Sequence, residues 1–120
     1  MEKLTNKEEE IMRVLWKLEK GFVNDILDQM PEPKPHYNTL STFIRILVDK
    51  GVVGYKAYGK SHQYYPIVTL EQYRTMFMED TMEKYFDNSF SNLVSFFVKD
   101  KKVSKDELDE LLQIIEKNRK

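Results

Sequence analysis

The side chains best suited to a chemical task lie on one face of a helical segment near the middle of the chain. With successive residues about 100° apart, Asn38, Thr39, Ser41, Thr42 and Arg45 share that face. Hydroxyl groups can contact base edges, thymine methyl groups or phosphates, and an Arg guanidinium can bond twice to guanine. The opposite face is apolar and carries Leu40, Phe43, Ile44 and Leu47, with Val48 at its edge. The segment is therefore predicted to pack on a core with one face and to offer a recognition surface with the other.

A polar helix face is more often ordinary solvated surface, and three features argue against that interpretation here. The face is poor in the Glu and Lys residues that normally cover a solvated helix, and its exposed Ile46 suits a partner better than water. A predicted hairpin follows at once, and Lys56 and Lys60 lie near its tip. Lysines placed there can contact phosphates. The combination favours a nucleic-acid interface.

The elements that must position these residues follow from periodicity and from helix-end signals. Thr5 and Glu8 form a predicted capping box, and apolar residues at helical spacing continue it into a first helix over 6–19. A short second helix is predicted over 23–30, and after the Pro-rich spacer 31–35 a third over 38–50, closed by Gly51. Strands rich in Val and Tyr are predicted over 52–58 and 62–67. This order is typical of a winged helix-turn-helix.

The hairpin, over 52–67, is the predicted wing. Gly59 permits a positive φ at its turn and close approach of the backbone. Because side chains alternate along a strand, about half of the wing tyrosines must point inward, and we expect Tyr64 or Tyr65 to belong to the core. Tyr58, beside the turn, is the predicted contact residue.

Overall charge does not mark a nucleic-acid binder, because the 120 residues carry a net charge of −1. Local charge does, since His36–His62 holds four basic residues against Asp49 alone, a net of +3. The chain has no cysteine and two histidines without metal-ligand spacing. It also lacks a nucleophile–base–orienter set and a glycine-rich phosphate loop. We therefore expect no enzyme activity, no catalytic residue, no metal and no cofactor. No apolar run approaches membrane-span length, which predicts a cytoplasmic protein without membrane insertion.

The pattern of apolar residues changes after Val68, which predicts a boundary between residues 1–68 and 69–120. The second region has three helical segments, each too apolar and too small to bury its own face, and such a region usually finds its core against a second copy. We therefore predict a mainly α protein with one small β-hairpin, made of a winged helix-turn-helix domain and a helical dimerisation region. The predicted dimerisation residues are Tyr73, Phe77, Phe86, Leu93, Phe96, Phe97, Leu108, Leu111, Leu112 and Ile115.

Taken in order, these motifs resemble the penicillinase-repressor (BlaI/MecI/CopY-type) family of bacterial transcriptional repressors. The resemblance rests on LTNKEEEIMRVLW at 4–16, YNTLSTFIRILVDKGVV at 37–53, GYKAYGKSHQYYPIV at 54–68 and LVSFFVKD at 93–100. It implies a homodimer that binds palindromic operator DNA. By position, it places Thr39, Ser41, Thr42 and Arg45 in the groove and Lys56 and Lys60 on the wing. The family often has its helix arginine one place later, where this chain has Ile46.

The resemblance also bears on how DNA is released. Copper-responsive members carry a C-terminal cysteine cluster, so the absence of cysteine excludes copper sensing by that route. In β-lactam-responsive members, a membrane sensor and protease signal leads to cleavage of an Asn–Phe bond, and the matching pair here is Phe96–Phe97. Two interpretations of this pair stay open: a cleavage site, and an apolar helix packed in the dimer.

A second function, from a different class, is also compatible with the sequence. A winged-helix module can mediate protein–protein assembly, with the apolar C-terminal helices binding a different chain. The near-zero net charge and Asp49 near the proposed groove face keep this alternative open. It predicts a heteromer without affinity for duplex DNA, whereas the first interpretation predicts a stable homodimer.

Overall fold

The computed structural model describes residues 3–100 and 103–118, in which six helices and one hairpin follow one another. The first three helices are α1 (Asn6–Leu18), α2 (Val23–Gln29) and α3 (Tyr37–Asp49), and the hairpin pairs β1 (Val53–Tyr58) with β2 (Ser61–Pro66). The last three are α4 (Leu70–Tyr85), α5 (Phe90–Lys99) and α6 (Lys105–Asn118). The predicted fold class is confirmed, with boundaries shifted by one or two residues.

A capping box opens α1, as predicted. The Glu8 backbone N–H donates to Thr5 Oγ1 at 3.2 Å, and the Thr5 N–H donates to Glu8 Oε1 at 2.8 Å. The same carboxylate accepts from Lys50 Nζ at 2.8–2.9 Å, at the end of α3. Glu8 is only 2% exposed. Burial alone would raise its pKa, but the bonds from Lys50 and Thr5 outweigh burial and hold the pKa of Glu8 below its usual value.

The core of the N-terminal part lies where α1, α2, α3 and the hairpin meet. Leu40, Ile44 and Leu47 of α3 are completely buried, which confirms the predicted apolar face. They pack in a core that is otherwise formed by Leu4, Ile11, Met12, Val14, Leu15, Val23, Ile26, Met30, Val52 and Val53. Because α3 is held along this whole stripe, its opposite face is presented as a rigid surface.

The segment after α1 joins the helices to the hairpin. Glu19 takes the positive φ of 71° that ends α1. Gly21 is buried and exchanges two backbone hydrogen bonds with Tyr64, at 2.8 and 2.9 Å, in a β-bridge. This third extended segment fixes the hairpin to the helical core.

Of the two tyrosines considered for the core, Tyr64 is buried and Tyr65 is 42% exposed. Gly54 explains how the Tyr65 ring fits, because a Cβ added there would lie 2.6 Å from ring atom Cζ. The ring therefore crosses the strand backbone where a side chain is missing.

The start of α4 belongs to the N-terminal part. The Trp16 indole donates to the Val68 carbonyl at 2.9 Å, and its ring packs on Tyr73 with 5.5 Å between centroids. The Tyr73 hydroxyl donates to Glu9. Burial, followed by this bond, raises the pKa of Tyr73 well above its ordinary range. Tyr73 is thus packed within its own chain, and its role in dimerisation stays a prediction.

The described chain divides into two compact units, which meet between Arg74 and Thr75 inside α4. In the second unit, α5 and α6 contain no buried residue. At the start of α4, Thr69 and Gln72 form both bonds of a capping box, and at the start of α6 the Glu107 N–H donates to Ser104. No helix among the described residues is long and apolar enough to span a membrane.

Candidate nucleic-acid interface

The exposed face of α3 carries the predicted contact residues. Asn38, Thr39, Thr42 and Arg45 are exposed and Ser41 is partly exposed. Ile46 is 38% exposed, which confirms that an apolar side chain stands on this surface. The structure therefore brings the six predicted residues of the helix onto one accessible surface.

Thr42 is constrained by a bond to its own helix. Its hydroxyl donates to the Asn38 carbonyl at 2.9 Å. Because the hydroxyl proton is used in that bond, the Thr42 oxygen can only accept a hydrogen bond from a partner. The methyl group of the same side chain can make an apolar contact beside it. Thr42 is therefore suited to an amino group or a thymine methyl.

The tip of the wing places the other predicted contacts. Gly59 has a φ of 63° in the turn between Tyr58 and Ser61, as its type predicts. Lys56 Nζ lies 5.3 Å from the centre of the Tyr58 ring, a cation–π contact. Tyr58 is 49% exposed and Lys60 is exposed. The tip is thus a basic, aromatic surface of four accessible residues.

A cleft of about 490 Å³ separates α3 from the wing. We call it the wing cleft; its lining residues are Val23, Tyr37, Ser41, Arg45, Val48, Asp49, Tyr55, Lys60, His62 and Tyr64. Arg45 and Lys60 thus border the same concavity from opposite elements. Burial raises the pKa of the Tyr64 phenol, and Arg45 opposes this rise while Tyr37 and Tyr55 add to it.

The charge of the surface differs from the sequence count in one respect. Lys50 contributed to the net of +3 over His36–His62, but its ammonium group is bound to the buried Glu8 carboxylate. Without that neutralised charge, Arg45, Lys56 and Lys60 remain against Asp49, a net of +2. The positive field is therefore smaller than predicted and lies at the wing and the middle of α3.

Seven of the ten residues that line the wing cleft were absent from our predicted site, among them Tyr37, Tyr55 and His62. The His62 ring stacks on the Tyr55 ring with 4.3 Å between centroids and 9° between planes. Alternation along β2 could have indicated His62, because it shares a face with the buried Tyr64 two residues later. The tilt of the wing toward α3, which closes the cleft, had no signal in the sequence.

The predicted dimerisation residues, Tyr73 apart, lie in the second unit. Phe77, Phe96, Phe97, Leu112 and Ile115 are exposed, and Phe86, Leu93, Leu108 and Leu111 are partly buried. Phe86 meets Phe96 at 5.9 Å, and Phe96 meets Phe97 at 5.5 Å, between ring centroids. These contacts leave several large apolar side chains facing outward, Phe90 and Ile114 among them.

Within residues 3–100 and 103–118, no cluster of His, Cys, Asp or Glu side chains could hold a metal ion. The arrangement of three helices followed by a hairpin, with an accessible polar α3 beside a basic wing, defines a winged helix-turn-helix protein of the DNA-binding class.

The family within that class follows from comparison with known proteins. The family model described as penicillinase repressor matches residues 4–117, so the chain belongs to the penicillinase repressor family. The methicillin resistance regulatory protein MecI of Staphylococcus aureus (strain N315) is 28% identical over 115 residues, 95% of this chain and 94% of its own length. The penicillinase repressor of Bacillus licheniformis is 24% identical over 120 residues, 98% of this chain and 94% of its own. A solved structure of the CopR repressor has 30% identity and a TM-score of 0.47, covering 55% of this chain and 97% of that one.

Proposed function

We propose that this protein is a homodimeric transcriptional repressor that binds palindromic operator DNA through α3 and the wing. The observation that carries the proposal is the exposed face of α3, whose polar side chains make few contacts within their own chain. It is supported by membership of the penicillinase repressor family. We place its action in the bacterial cytoplasm.

Sequence reading belongs to α3. In the helix-turn-helix geometry, the N-terminal part of the second helix of the motif faces base edges in the major groove. Asn38, Thr39, Ser41 and Thr42 lie in the first two turns of α3, and Arg45 lies one turn deeper. Arg45 forms no ion pair or hydrogen bond with the rest of the described chain, so its guanidinium is available to a guanine. Ile46 adds an apolar contact of the kind that a thymine methyl accepts.

The wing holds the duplex through its phosphates. Lys56 and Lys60 can neutralise phosphates, and such contacts position a protein on DNA without reading its sequence. The Tyr58 ring lies under the Lys56 ammonium group, which restrains that long side chain. Tyr58 and Gly59 complete the contact at the turn.

The homodimer is argued from the second unit. Its helices α5 and α6 bury no residue within the chain, and exposed apolar patches of this kind mark interaction surfaces. A twofold axis lets one patch serve both subunits, and it matches half-sites about one helical turn apart. We retain Phe77, Phe86, Leu93, Phe96, Phe97, Leu108, Leu111, Leu112 and Ile115 as the dimerisation residues.

Release by cleavage between Phe96 and Phe97, in response to a membrane sensor and protease system, remains a secondary part of the proposal. Both residues lie inside α5, and the Phe96 carbonyl accepts from the Asp100 N–H at 3.3 Å. A protease would therefore need α5 to unfold locally first. A dimer that shields α5 would resist such cleavage.

The competing function is assembly with a different protein chain through the apolar helices. Two measurements distinguish it from the repressor, and it predicts the following results. Light scattering on the purified chain would give a monomer rather than a dimer, and binding to duplex DNA would be absent. The polar composition of the α3 surface favours the repressor, since a protein-binding face would be richer in aromatic residues.

Substitution of Arg45 and of Lys60 by Ala is expected to produce different losses. Arg45→Ala removes a base contact, so preference for the chain's own upstream DNA over a scrambled duplex should fall about 5-fold to 150-fold. Lys60→Ala removes a phosphate contact, so both duplexes should be bound more weakly by a similar factor, with a shallower dependence on salt. Titrations of both duplexes by fluorescence anisotropy measure the two effects, and each variant is the control for the other. Equal loss of preference in both variants would contradict the division into reading and holding.

A further inference from the structure

The wing cleft contains groups that the proposed function has not used. His62 lies in it beside Arg45 and Lys60, and no other histidine does, since His36 is the residue that precedes α3. We propose that the wing cleft seats one backbone phosphate of the bound duplex and that His62 contacts this phosphate in its protonated form, so that DNA binding takes up a proton. This inference rests on the proposed function and adds to it a binding residue and a dependence on pH.

The geometry favours a phosphate at this place. In a winged helix docked by α3, the strand that borders the major groove must pass between the helix and the wing, and the wing cleft is the space between those two elements. Lys60 borders the cleft from the wing and can contact the phosphate, and Tyr37 adds a hydroxyl group, which is a common phosphate ligand. Arg45 lines the same cleft from α3, so its charge attracts the phosphate while its guanidinium bonds to a base. The cleft thus offers an ammonium group, a hydroxyl group and a positive field to an anion that enters it.

The imidazole is held rather than free to turn. It stacks on Tyr55 at 4.3 Å and meets the Tyr64 ring edge-on at 6.1 Å. A restrained ring loses little entropy when it binds, so His62 is pre-organised to donate a hydrogen bond. Partial exposure leaves its edge accessible from the cleft.

The charges that face His62 come from every element around it. Besides the tyrosines, they are Arg45 and Asp49 from α3, Lys60 from the wing turn, and Asp25 from α2 across a neighbouring cleft that His62 also lines. Asp25 accepts the Phe22 N–H at 2.9 Å. In the free protein two cations and two carboxylates thus share with His62 the lining of these two clefts. A bound phosphate adds a negative charge, and an opposite charge within about 4–6 Å favours the protonated imidazole.

A measurable consequence follows from linkage. Histidine titrates near pH 6.5 in model peptides, whereas aspartate and lysine side chains in model peptides titrate well outside the range from about pH 6 to 8. A rise of one pKa unit on binding corresponds to a tenfold change in affinity. We expect affinity for duplex DNA to rise about twofold to sixfold from about pH 8 to pH 6, for each wing that is bound, because a tenfold change is reached only well below the starting pKa. Because phosphates carry no sequence information, a random duplex should show the effect as well as the operator.

The test compares three full-length proteins: wild type, His62→Gln and His36→Gln. Anisotropy titrations with a random duplex of about 30 base pairs, at about 0.1 M salt, are repeated at intervals from about pH 6 to 8. Wild type and His36→Gln should show the rise in affinity at low pH, and His62→Gln should not. The α-amino group, which also titrates in this range, is the same in all three. An unchanged pH dependence in His62→Gln overturns the inference.

A second measurement uses the wild-type protein alone, so it does not depend on how a variant folds. The two histidine ring signals are followed by NMR from about pH 5 to 8, with and without the duplex. The His62 midpoint should move upward by about 0.5 to 1 unit on DNA binding, and a midpoint that stays in place contradicts the inference. If the protein binds duplex DNA but the His62 midpoint does not move, only the His62 contact is contradicted. If the protein binds no duplex at any pH, the proposed function is contradicted as well.

Discussion

Replacing Leu112 by Glu is expected to convert the proposed dimer to a monomer and to weaken binding to a two-half-site duplex about 100-fold or more. Leu112 lies on α6 and is 60% exposed, in a stripe with Leu108, Leu111 and Ile115. Full burial of a leucine contributes about 1.5–3 kcal/mol. In a twofold interface the change occurs twice, and two unpaired carboxylates would be buried in addition.

The effect on DNA binding exceeds the effect on any single contact with DNA. Each winged helix of a dimer raises the effective concentration of the other at the second half-site, which increases affinity by about 10²–10⁴-fold. A monomer loses this advantage although its α3 and wing are unchanged. Binding to a single half-site should therefore be the same for Leu112→Glu and wild type.

Sedimentation over a concentration series, together with titration of a two-half-site duplex, checks this prediction. Gln113→Glu is the matched control, because it adds the same charge at an exposed neighbouring residue that points away from the apolar stripe at helical spacing. This control should remain dimeric. If Leu112→Glu is as dimeric as wild type, the two chains associate through another surface.

Replacing Glu8 by Ala is expected to reduce the free energy of unfolding by about 2–3 kcal/mol. The substitution removes half of the capping box and the buried carboxylate that binds the Lys50 ammonium group. Lys50 keeps 24% of its side chain exposed, so it can turn toward water, and the loss falls at the lower end for a broken buried pair. Denaturant unfolding of both proteins at neutral pH measures the difference.

The same carboxylate gives an acid dependence whose sign follows from its lowered pKa. A carboxylate with a lower pKa in the folded state stabilises above its unfolded pKa, near 4.3 in model peptides, and the stabilisation is lost as pH falls through the folded value. Stability should therefore fall less steeply below about pH 5 in Glu8→Gln than in wild type.

Glu10→Ala is the control for Glu8→Ala, since the pair of Glu10 with Lys7 lies on the surface and should contribute less than about 1 kcal/mol. Equal losses in Glu8→Ala and Glu10→Ala would contradict the structural role given to Glu8.

The sequence was sufficient for the elements because local rules decide them. The capping box at Thr5, the apolar stripe of α3 and the glycine of the wing turn depend on neighbours only a few residues away. The Gly21–Tyr64 bridge and the ring of Tyr65 over Gly54 join residues far apart in the chain, and no periodicity indicates such pairs. The packing of Tyr73 could not be foreseen for the same reason, because its partners Trp16 and Glu9 are distant in sequence.

The candidate site divides in a similar way. The contact face of α3 could be read from helical spacing, because the core stripe fixes which side faces outward. The wing cleft could not, since it depends on the angle between the hairpin and α3. Nor could the neutralisation of Lys50, which comes from a carboxylate 42 residues away. Counting charges along the chain treats paired and unpaired lysines alike, and only the structure separates them.

The central claim is that α3 and the wing bind a specific DNA sequence. It is tested most directly by measuring the affinity of the wild-type protein for the DNA upstream of its own gene and for a scrambled duplex, over a range of salt concentrations. The account predicts a preference of about 10³-fold or more for the upstream DNA and an affinity that falls linearly with salt on logarithmic scales. Equal affinity for the two duplexes at every salt concentration would contradict it.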